Sequence, residues 1–384
     1  MAVIVAADGV EILAEGYHQR KGGKHAEAAA LADAKAKGVT RAQMEGATVY
    51  CTLEPCHRGP GKTTPPCDEA LVKSGIKSIH VAVLDPDPVF ANADNAYLRS
   101  EGVAVTVGTG ADAVAASLRP YLHQRRTKRP YVILKVASAA DGSIACADGT
   151  SQWITGPVAR AHSQTLRASS QAILVGAGTA LADSPRLTRR IDATAIPDGW
   201  LPPNNEGGLL RVLLDARGRV TDGPLLDTAL APTLIFTTAA SRGTSARASW
   251  EAKGVEAVEV PPASSGEDGG AAAAATGGGA TVGGDGAAAG GGVDLGAVLD
   301  ALGARGIVQL MVEGGGAVLG SFLSTPKAAQ QLRLYVGATA LGSTGTRWIN
   351  APLAPTIDAA PRWRLLDVQR LGDDACLDYA LDGE

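Results

Sequence analysis

Short apolar runs alternate with longer Ala-rich or amphipathic stretches along the first third of the chain. The apolar runs, bounded by Gly, Pro and Asp, predict β-strands at Val3–Ala6, Ile12–Gly16, Ala47–Leu53, Ser78–Leu84 and Val103–Val107. The stretches between them predict helices at His25–Lys37, Cys67–Ser74 and Asn95–Glu101, and a last one that ends near Gln124. This alternation is typical of a layered α/β domain.

The same alternation starts again after a basic junction, Arg125–Pro130. Strands are predicted at Tyr131–Ala137, Ala172–Val175, Leu210–Leu214, Thr233–Thr237, Val308–Val312 and Leu332–Val336. Helices are predicted at Pro157–Ser169 and Leu295–Ala304. We read the junction as an exposed linker, with an anion-binding patch as the alternative. The sequence therefore predicts two α/β domains, 1–124 and 131–384, joined by the linker 125–130.

One segment of the second domain has no apolar periodicity. Glycine makes up 48 of 384 residues, against about 7% in average proteins, and much of the excess lies in 264–292 with Ala, Ser and acidic residues. Such a composition cannot bury a core, so a disordered insertion is predicted. A surface insertion adds little to the entropy of loop closure.

Charge and composition exclude several classes of protein. The net charge of −4 does not fit a general nucleic-acid coat, which needs a basic face. No apolar run approaches the length of about 18 residues needed for a membrane helix, and the first residues lack the features of a signal peptide. The five cysteines are an odd, sparse set that argues against a disulfide framework and favours a reducing compartment: Cys51, Cys56, Cys67, Cys146 and Cys376.

Three potential metal ligands stand near the predicted helix starts of the first domain. His25-Ala26-Glu27 opens one helix, Pro55-Cys56 follows a strand, and Cys67 opens the next helix. One His and two Cys can hold zinc and leave its fourth position to water, while a Glu that is not a ligand shuttles protons in deaminases. Two alternatives remain: buried cysteines beside a surface histidine, or a structural zinc, which usually has four protein ligands.

The run Thr52-Leu53-Glu54-Pro55-Cys56 with Thr64-Pro65-Pro66-Cys67 resembles the deaminase half of the bifunctional riboflavin-biosynthesis deaminase–reductase family, RibD. The family's motif is T-L-E-P-C-S-H-x-G-[RK]-T-P-P-C, and the loop between the cysteines is longer here. The resemblance implies a cytidine-deaminase-like three-layer domain with His25, Cys56 and Cys67 as zinc ligands. It further implies Glu27 as the proton shuttle, and His18 and Lys62 as substrate contacts.

The family's first helix and its P-N-P-x-V-G segment, which supplies a substrate-binding Asn, have no counterpart in this chain. The resemblance therefore implies a deaminase domain that is short at its N-terminus. A monofunctional reductase that carries an inactive or structural zinc domain is the alternative that follows.

Four segments of the second domain combine strand ends with polar or Gly-rich turns. They are 134–142, 151–156, 173–188 and 312–316. A Gly-rich turn before a helix places backbone N–H groups where a phosphate is favoured. No G-x-G-x-x-G follows a predicted strand, so the sequence does not indicate a Rossmann-type nucleotide-binding site. Each segment taken alone is equally compatible with a structural turn.

In this order the four segments resemble the reductase half of the same family, which has a dihydrofolate-reductase-like fold. The resemblance implies NADPH contacts at Ala137, Trp153, Thr179, Asp183, Gly315 and Gly316. It implies substrate contacts at Ser151, Arg167, Leu187, Arg190 and Glu313, with Lys135 as a catalytic group near the ribose. A guanidinium fork matches the oxygens of a 5-phosphate. The alternatives are solvated arginines and, for Glu313, a helix N-terminal acid.

The resemblance implies a two-domain enzyme of riboflavin biosynthesis that uses one Zn²⁺ per chain and NADPH. It would deaminate 2,5-diamino-6-ribosylamino-4(3H)-pyrimidinone 5′-phosphate and then reduce the ribose of the product. We expect phosphorylated pyrimidines as its small-molecule partners, no nucleic acid, no membrane, and a homo-oligomer. The compartment would be the cytoplasm of a bacterium or the plastid stroma of a plant or alga. A nucleic-acid base deaminase and a non-catalytic zinc scaffold are the remaining rivals.

Overall fold

The computed structural model describes residues 1–19, 22–58, 65–87, 95–190, 208–263 and 292–381. The chain divides into two compact units, the first of which is Met1–Lys128 and the second of which begins at Arg129. Within the described ranges, no helix has both the length and the apolar character needed to cross a membrane.

The first unit is a five-stranded sheet with helices. Its strands are β1 (Ala2–Val5), β2 (Ile12–Gly16), β3 (Thr48–Leu53), β4 (Ser78–Val83) and β5 (Ala104–Val107). Its helices are α1 (Ala26–Ala36), α2 (Arg41–Glu45), α3 (Cys67–Ser74), α4 (Ala96–Ser100) and α5 (Ala111–Thr127).

The sheet of the first unit has the strand order β2-β1-β3-β4-β5. β1 pairs antiparallel with β2 and with β3, whereas β3, β4 and β5 run parallel. Parallel neighbours need crossover connections, and helices supply them here. Ile4, Val49 and Val81 of the sheet share one buried core with Ala30 of α1 and Leu71 of α3. This packing fixes the starts of α1 and α3 relative to the end of β3.

The second unit contains eleven strands and five α-helices within the described residues. The strands are β6 (Tyr131–Ala139), β7 (Ser143–Ala145), β8 (Ala172–Gly176), β9 (Leu210–Leu214), β10 (Thr233–Thr237), β11 (Glu256–Glu259), β12 (Gln309–Val312), β13 (Gln331–Gly337), β14 (Thr346–Arg347), β15 (Arg364–Leu371) and β16 (Asp374–Ala380). The helices are α6 (Pro157–Ser169), α7 (Ala177–Asp183), α8 (Ser245–Ala252), α9 (Leu295–Ala304) and α10 (Gly316–Ser324).

Nine of these strands form one sheet in the order β11-β10-β9-β8-β12-β6-β13-β16-β15. The first seven run parallel, and β16 and β15 add an antiparallel edge. Side chains alternate across β6, so Val132 and Leu134 enter the core that contains α9 and α10, whereas Ile133 enters the core that contains α6 and α8. Both faces of the parallel sheet are therefore covered.

The basic junction differs from the expected linker. Residues 125–127 are the last three residues of α5, and the division of the chain into two units falls between Lys128 and Arg129. Arg125 and Lys128 face Asp87 at 3.4 and 3.9 Å, and Arg129 pairs with Asp300. Two carboxylates thus pair with three of the four cations of the basic run, which favours a structural role over an anion-binding patch there. The insertion 264–292 lies outside the described residues apart from Gly292.

Candidate active sites

The three predicted zinc ligands of the first unit come from three separate segments. His25 is the N-cap of α1, Cys56 lies in the loop after β3, and Cys67 is the first residue of α3. The positive ends of two helix dipoles therefore converge here, which favours the thiolate form of cysteine. Burial of Cys56 and Cys67 keeps bulk water from both sulfur atoms.

The ligand atoms are spaced as a tetrahedral zinc site requires. His25 Nδ1 lies 3.2 Å from Cys56 Sγ and 3.6 Å from Cys67 Sγ, and all three atoms lie within 4.8 Å of one another. Ideal zinc–sulfur and zinc–nitrogen bonds at a tetrahedral angle would separate N from S by about 3.6 Å. The three residues fit one zinc ion and leave a fourth position open.

Glu27 lies beside this cluster because it is the second residue of α1. Its side chain is 6% exposed. Burial raises the pKa of Glu27, against the effect of a backbone hydrogen bond and of a hydrogen bond with Cys67. The carboxylate also contacts Cys51 of β3, where burial and Glu27 together raise the pKa of the thiol. The sequence pattern did not predict this contact, because Cys51 falls outside the zinc motif.

Of the two predicted substrate contacts of this unit, the structure describes one. His18 is exposed, its Nδ1 lies 2.9 Å from the Lys24 carbonyl oxygen, and its ring stands edge-on to His25 at 5.4 Å. It therefore borders the zinc ligands. Lys62 lies outside the described residues.

Buried acids support the loops around the cluster, and sequence reasoning gave them no role. Glu54 accepts hydrogen bonds from the backbone N–H groups of Asp85 and Asn95 at 3.1 and 3.0 Å, which ties two loops to the end of β3. Asp68, which is fully buried, lies 2.6 Å from His57 Nδ1. Their positions in the sequence could have indicated a role near the zinc ligands, because His57 directly follows Cys56 and Asp68 directly follows Cys67.

In the second unit, charged side chains converge where β12 ends beside the middle of β6. Val312 pairs with Leu134, which places Glu313 at the level of Lys135. Burial alone would raise the pKa of Glu313, but the positive charges of Lys135, Arg167 and Arg190 outweigh burial and lower it. Four predicted residues, three cationic and one anionic, are thus brought together.

Arg167 occupies an unexpected position within this group. It is buried, its Nη2 donates to both carboxylate oxygens of Glu313 at 2.9 and 2.8 Å, and its Nη1 donates to the Thr188 carbonyl at 3.0 Å. Arg190 is exposed, while the side chain of Leu187 is buried and its backbone lies in the left-handed region at φ 49°. Arg167 therefore organises Glu313 and the segment before Arg190, and Arg190 is the exposed arginine of this group.

The predicted nucleotide turn lies where β8 and β12, which are parallel neighbours, both end. The Gly315 N–H donates to Thr179 Oγ1 at 3.2 Å, which joins the start of α10 to α7. A Cβ atom at Gly314 would lie 2.6 Å from the Val318 side chain, and one at Gly316 would lie 2.8 Å from the Arg347 carbonyl oxygen. The close packing requires glycine at both positions, and the N-terminus of a helix such as α10 favours an anion.

The other predicted contacts lie on separate segments of the second unit. Trp153 is exposed, with the Arg160 guanidinium 4.3 Å from its ring centroid, and Asp183 is the exposed last residue of α7. Ala137 and Ser151 are half-buried, Ala137 two positions after Lys135 on the same face of β6. No contact in the described residues distinguishes Ser151 as a binding group.

Two family models match this chain. The model of the cytidine and deoxycytidylate deaminase zinc-binding region matches residues 1–83, and the model of the RibD C-terminal domain matches residues 130–377. The chain is 36% identical to the riboflavin biosynthesis protein RibD of Chlamydia pneumoniae over 94% of this chain and 84% of that protein. It is 31% identical to RibD of Escherichia coli, with 97% and 91% covered.

A solved structure shares both halves of the architecture. It is the diaminohydroxyphosphoribosylaminopyrimidine deaminase/5-amino-6-(5-phosphoribosylamino)uracil reductase of Thermotoga maritima. The TM-score is 0.75 at 27% identity, and the similarity covers 99% of this chain and 91% of that one.

Proposed function

This chain belongs to the RibD family, which catalyses the deaminase and reductase steps of riboflavin biosynthesis. We propose the following roles for its residues in these two steps. The observation that carries the proposal is the buried Glu27 beside a His25–Cys56–Cys67 cluster of zinc-binding geometry. Family membership also argues against the nucleic-acid base deaminase and the non-catalytic zinc scaffold.

In the deaminase step, the substrate is 2,5-diamino-6-ribosylamino-4(3H)-pyrimidinone 5′-phosphate and ammonia is the leaving product. Zn²⁺, held by His25, Cys56 and Cys67, supplies when bound the Lewis acidity that activates water toward the ring. Glu27 accepts one proton of the attacking water and delivers it to the ring nitrogen; it then takes the proton of the hydroxyl group formed on the ring carbon and passes it to the departing amine. His18, at the rim of the cluster, and Lys62 contact the substrate.

In the reductase step, the product of deamination loses the cyclic form of its ribose and is reduced at C1. NADPH supplies the hydride when bound. We assign its phosphates to the turn at Gly315 and Gly316 with Thr179, and its remaining contacts to Ala137, Trp153 and Asp183.

The substrate side of the reductase uses the charged group at the end of β12, beside the middle of β6. Lys135 holds a proton at the sugar oxygen that is released when the ring opens. Glu313 accepts hydrogen bonds from sugar hydroxyls, and Arg190 binds the 5-phosphate as a guanidinium fork. Arg167 keeps Glu313 ionised and oriented, and Ser151 and Leu187 border the same substrate.

Two consecutive assays on the purified protein test the two activities. With the diaminopyrimidine nucleotide and no NADPH, we expect ammonia release. With NADPH added, oxidation should follow only after deamination. Absence of ammonia release, together with NADPH oxidation on the deaminated substrate, would instead support a reductase with a silent zinc domain.

Removal of one zinc ligand should separate the two activities. We expect Cys67→Ala to reduce bound zinc from one per chain to none and to abolish ammonia release, because two ligands hold zinc far more weakly than three. Metal analysis and the ammonia assay measure both effects, while NADPH oxidation on the deaminated substrate should be unchanged. Cys146→Ala is the matched control, and retained zinc in Cys67→Ala would contradict the assignment.

The nucleotide turn is tested through its hydroxyl partner. Thr179→Val removes the acceptor for the Gly315 N–H and loosens the start of α10, so we expect the KM for NADPH to rise about tenfold. Initial-rate kinetics measure this, with ammonia release as the unaffected reference. Thr325→Val, at the other end of α10, should leave the KM for NADPH unchanged. An equal effect of both variants would contradict the assignment.

The homo-oligomer and the compartment stay predictions. Sedimentation of the purified chain would test the former, and localisation in the source organism the latter.

A further inference from the structure

The ammonium group of Lys135 faces an aromatic ring in addition to the negative charge of Glu313. Lys135 Nζ is 5.7 Å from the centroid of the Tyr335 ring, within the distance of about 6 Å at which a cation is attracted to the face of a ring. We propose that Tyr335 and His162 are positioning residues of the reductase: they hold the Lys135 ammonium where the sugar is reduced. The inference rests on the role proposed above for Lys135.

Strand register explains why the tyrosine meets the lysine. β6 and β13 are parallel neighbours in which Lys135 pairs with Arg333 and Ala137 pairs with Tyr335. Side chains two positions apart lie on the same face of a strand. Tyr335 therefore stands one diagonal step from Lys135, on the face that α6 covers.

The tyrosine ring is itself fixed. Tyr335 is 1% exposed, and its hydroxyl lies 3.0 Å from His162 Nδ1, which reaches it from α6. Burial raises the pKa of Tyr335, and burial together with Arg333 lowers the pKa of His162. The phenol and the neutral imidazole share this hydrogen bond, and its direction is set by which ring nitrogen of His162 carries the proton. The hydrogen bond fixes the Tyr335 ring relative to α6.

The neighbouring charged groups are already engaged with one another, so the ring adds to the attraction of Glu313 in setting the position of Lys135. Arg333 donates to both carboxylate oxygens of Asp378 at 2.8 Å each. Glu313 is engaged by Arg167. A lysine stem has four rotatable bonds and would otherwise sample many positions, whereas catalysis requires a fixed one.

The test compares kcat and KM of the reductase in tyrosine variants. We expect Tyr335→Leu to lower kcat about tenfold, with KM for NADPH and for the nucleotide within about twofold of the wild type, because the cation–ring attraction orders Lys135 without touching either ligand. Tyr335→Phe keeps the ring and should lose less. Tyr379→Phe, a change on the neighbouring strand, is the matched control, and ammonia release reports that each chain is intact.

The histidine is tested in the same assay. His162→Leu removes the hydrogen bond to the phenol, whereas His162→Asn can restore a polar atom near the position of Nδ1. We expect the first to lower kcat severalfold and the second to recover part of that loss. If Tyr335→Leu yields no folded protein, Tyr335→Phe and the two His162 variants decide the question.

A double-mutant cycle separates positioning from simple packing. If Tyr335 acts through Lys135, then Tyr335→Leu should have no further effect on single-turnover reduction in a Lys135→Met background. Additive losses would overturn the inference. Full activity of Lys135→Met would instead refute the role of Lys135 itself, whereas an inactive Lys135→Met with a fully active Tyr335→Leu would refute only the positioning role.

Discussion

Glu27→Gln should lower kcat of ammonia release by about 10²–10⁴-fold, because the amide cannot accept the proton of water and return it to the leaving amine. Bound zinc should remain at one per chain, since Glu27 is not among the three ligands. NADPH oxidation on the deaminated substrate should be unaffected. The measurement is ammonia release under saturating nucleotide, with metal content determined on the same sample.

The control for this variant is Glu101→Gln, which changes an exposed acid of the same unit. It should retain full ammonia release. Loss of zinc in Glu27→Gln would show that the carboxylate supports the metal site and would contradict its assignment as a proton shuttle alone. Unchanged ammonia release would contradict the shuttle directly.

Glu313→Gln should have the second large effect, on both stability and reduction. It leaves the Arg167 guanidinium buried beside a neutral amide, and an uncompensated buried charge costs about 3 kcal/mol or more of unfolding free energy. Reduction should fall at least 100-fold, because the charged sugar contact of Glu313 and the ion pair that orients it are both lost. Urea unfolding and NADPH oxidation on the deaminated substrate measure the two effects.

A double variant separates these two effects. Arg167→Met with Glu313→Leu removes both charges, so stability should recover substantially while reduction stays lost. Full reductase activity in the double variant would contradict the assigned role of the pair. If stability did not recover, the packing of the two side chains rather than their charges would be their main contribution to the unfolding free energy.

Acid provides an independent check on Glu313. Its pKa is lowered in the folded protein, so its ionised form stabilises the fold above the usual pKa of a glutamate, and that contribution is lost as the pH falls through the lowered value. The difference in unfolding free energy between wild type and Glu313→Gln should therefore shrink in acid. A difference that grew as the pH fell would mean that the folded protein raises this pKa.

Local patterns were sufficient for the fold class and for most elements. The predicted α/β class, with a deaminase-like domain followed by a reductase domain, is confirmed. Strands such as β8 and β10 agree closely because they are buried on both faces and bounded by turns. β15 was not predicted. It is an exposed edge strand and shows no clean alternation of buried and exposed positions.

The sequence by itself determined the ligand set of the zinc cluster and the order of the two domains. His25, Cys56 and Cys67 could be identified because each stands in a short motif at a helix start or strand end, where local geometry fixes its direction. The tertiary structure alone decided how the reductase charges are paired. Arg167 meets Glu313 across 146 residues, and His162 meets Tyr335 across 173. Such pairs depend on strand register and helix packing, which no local pattern encodes.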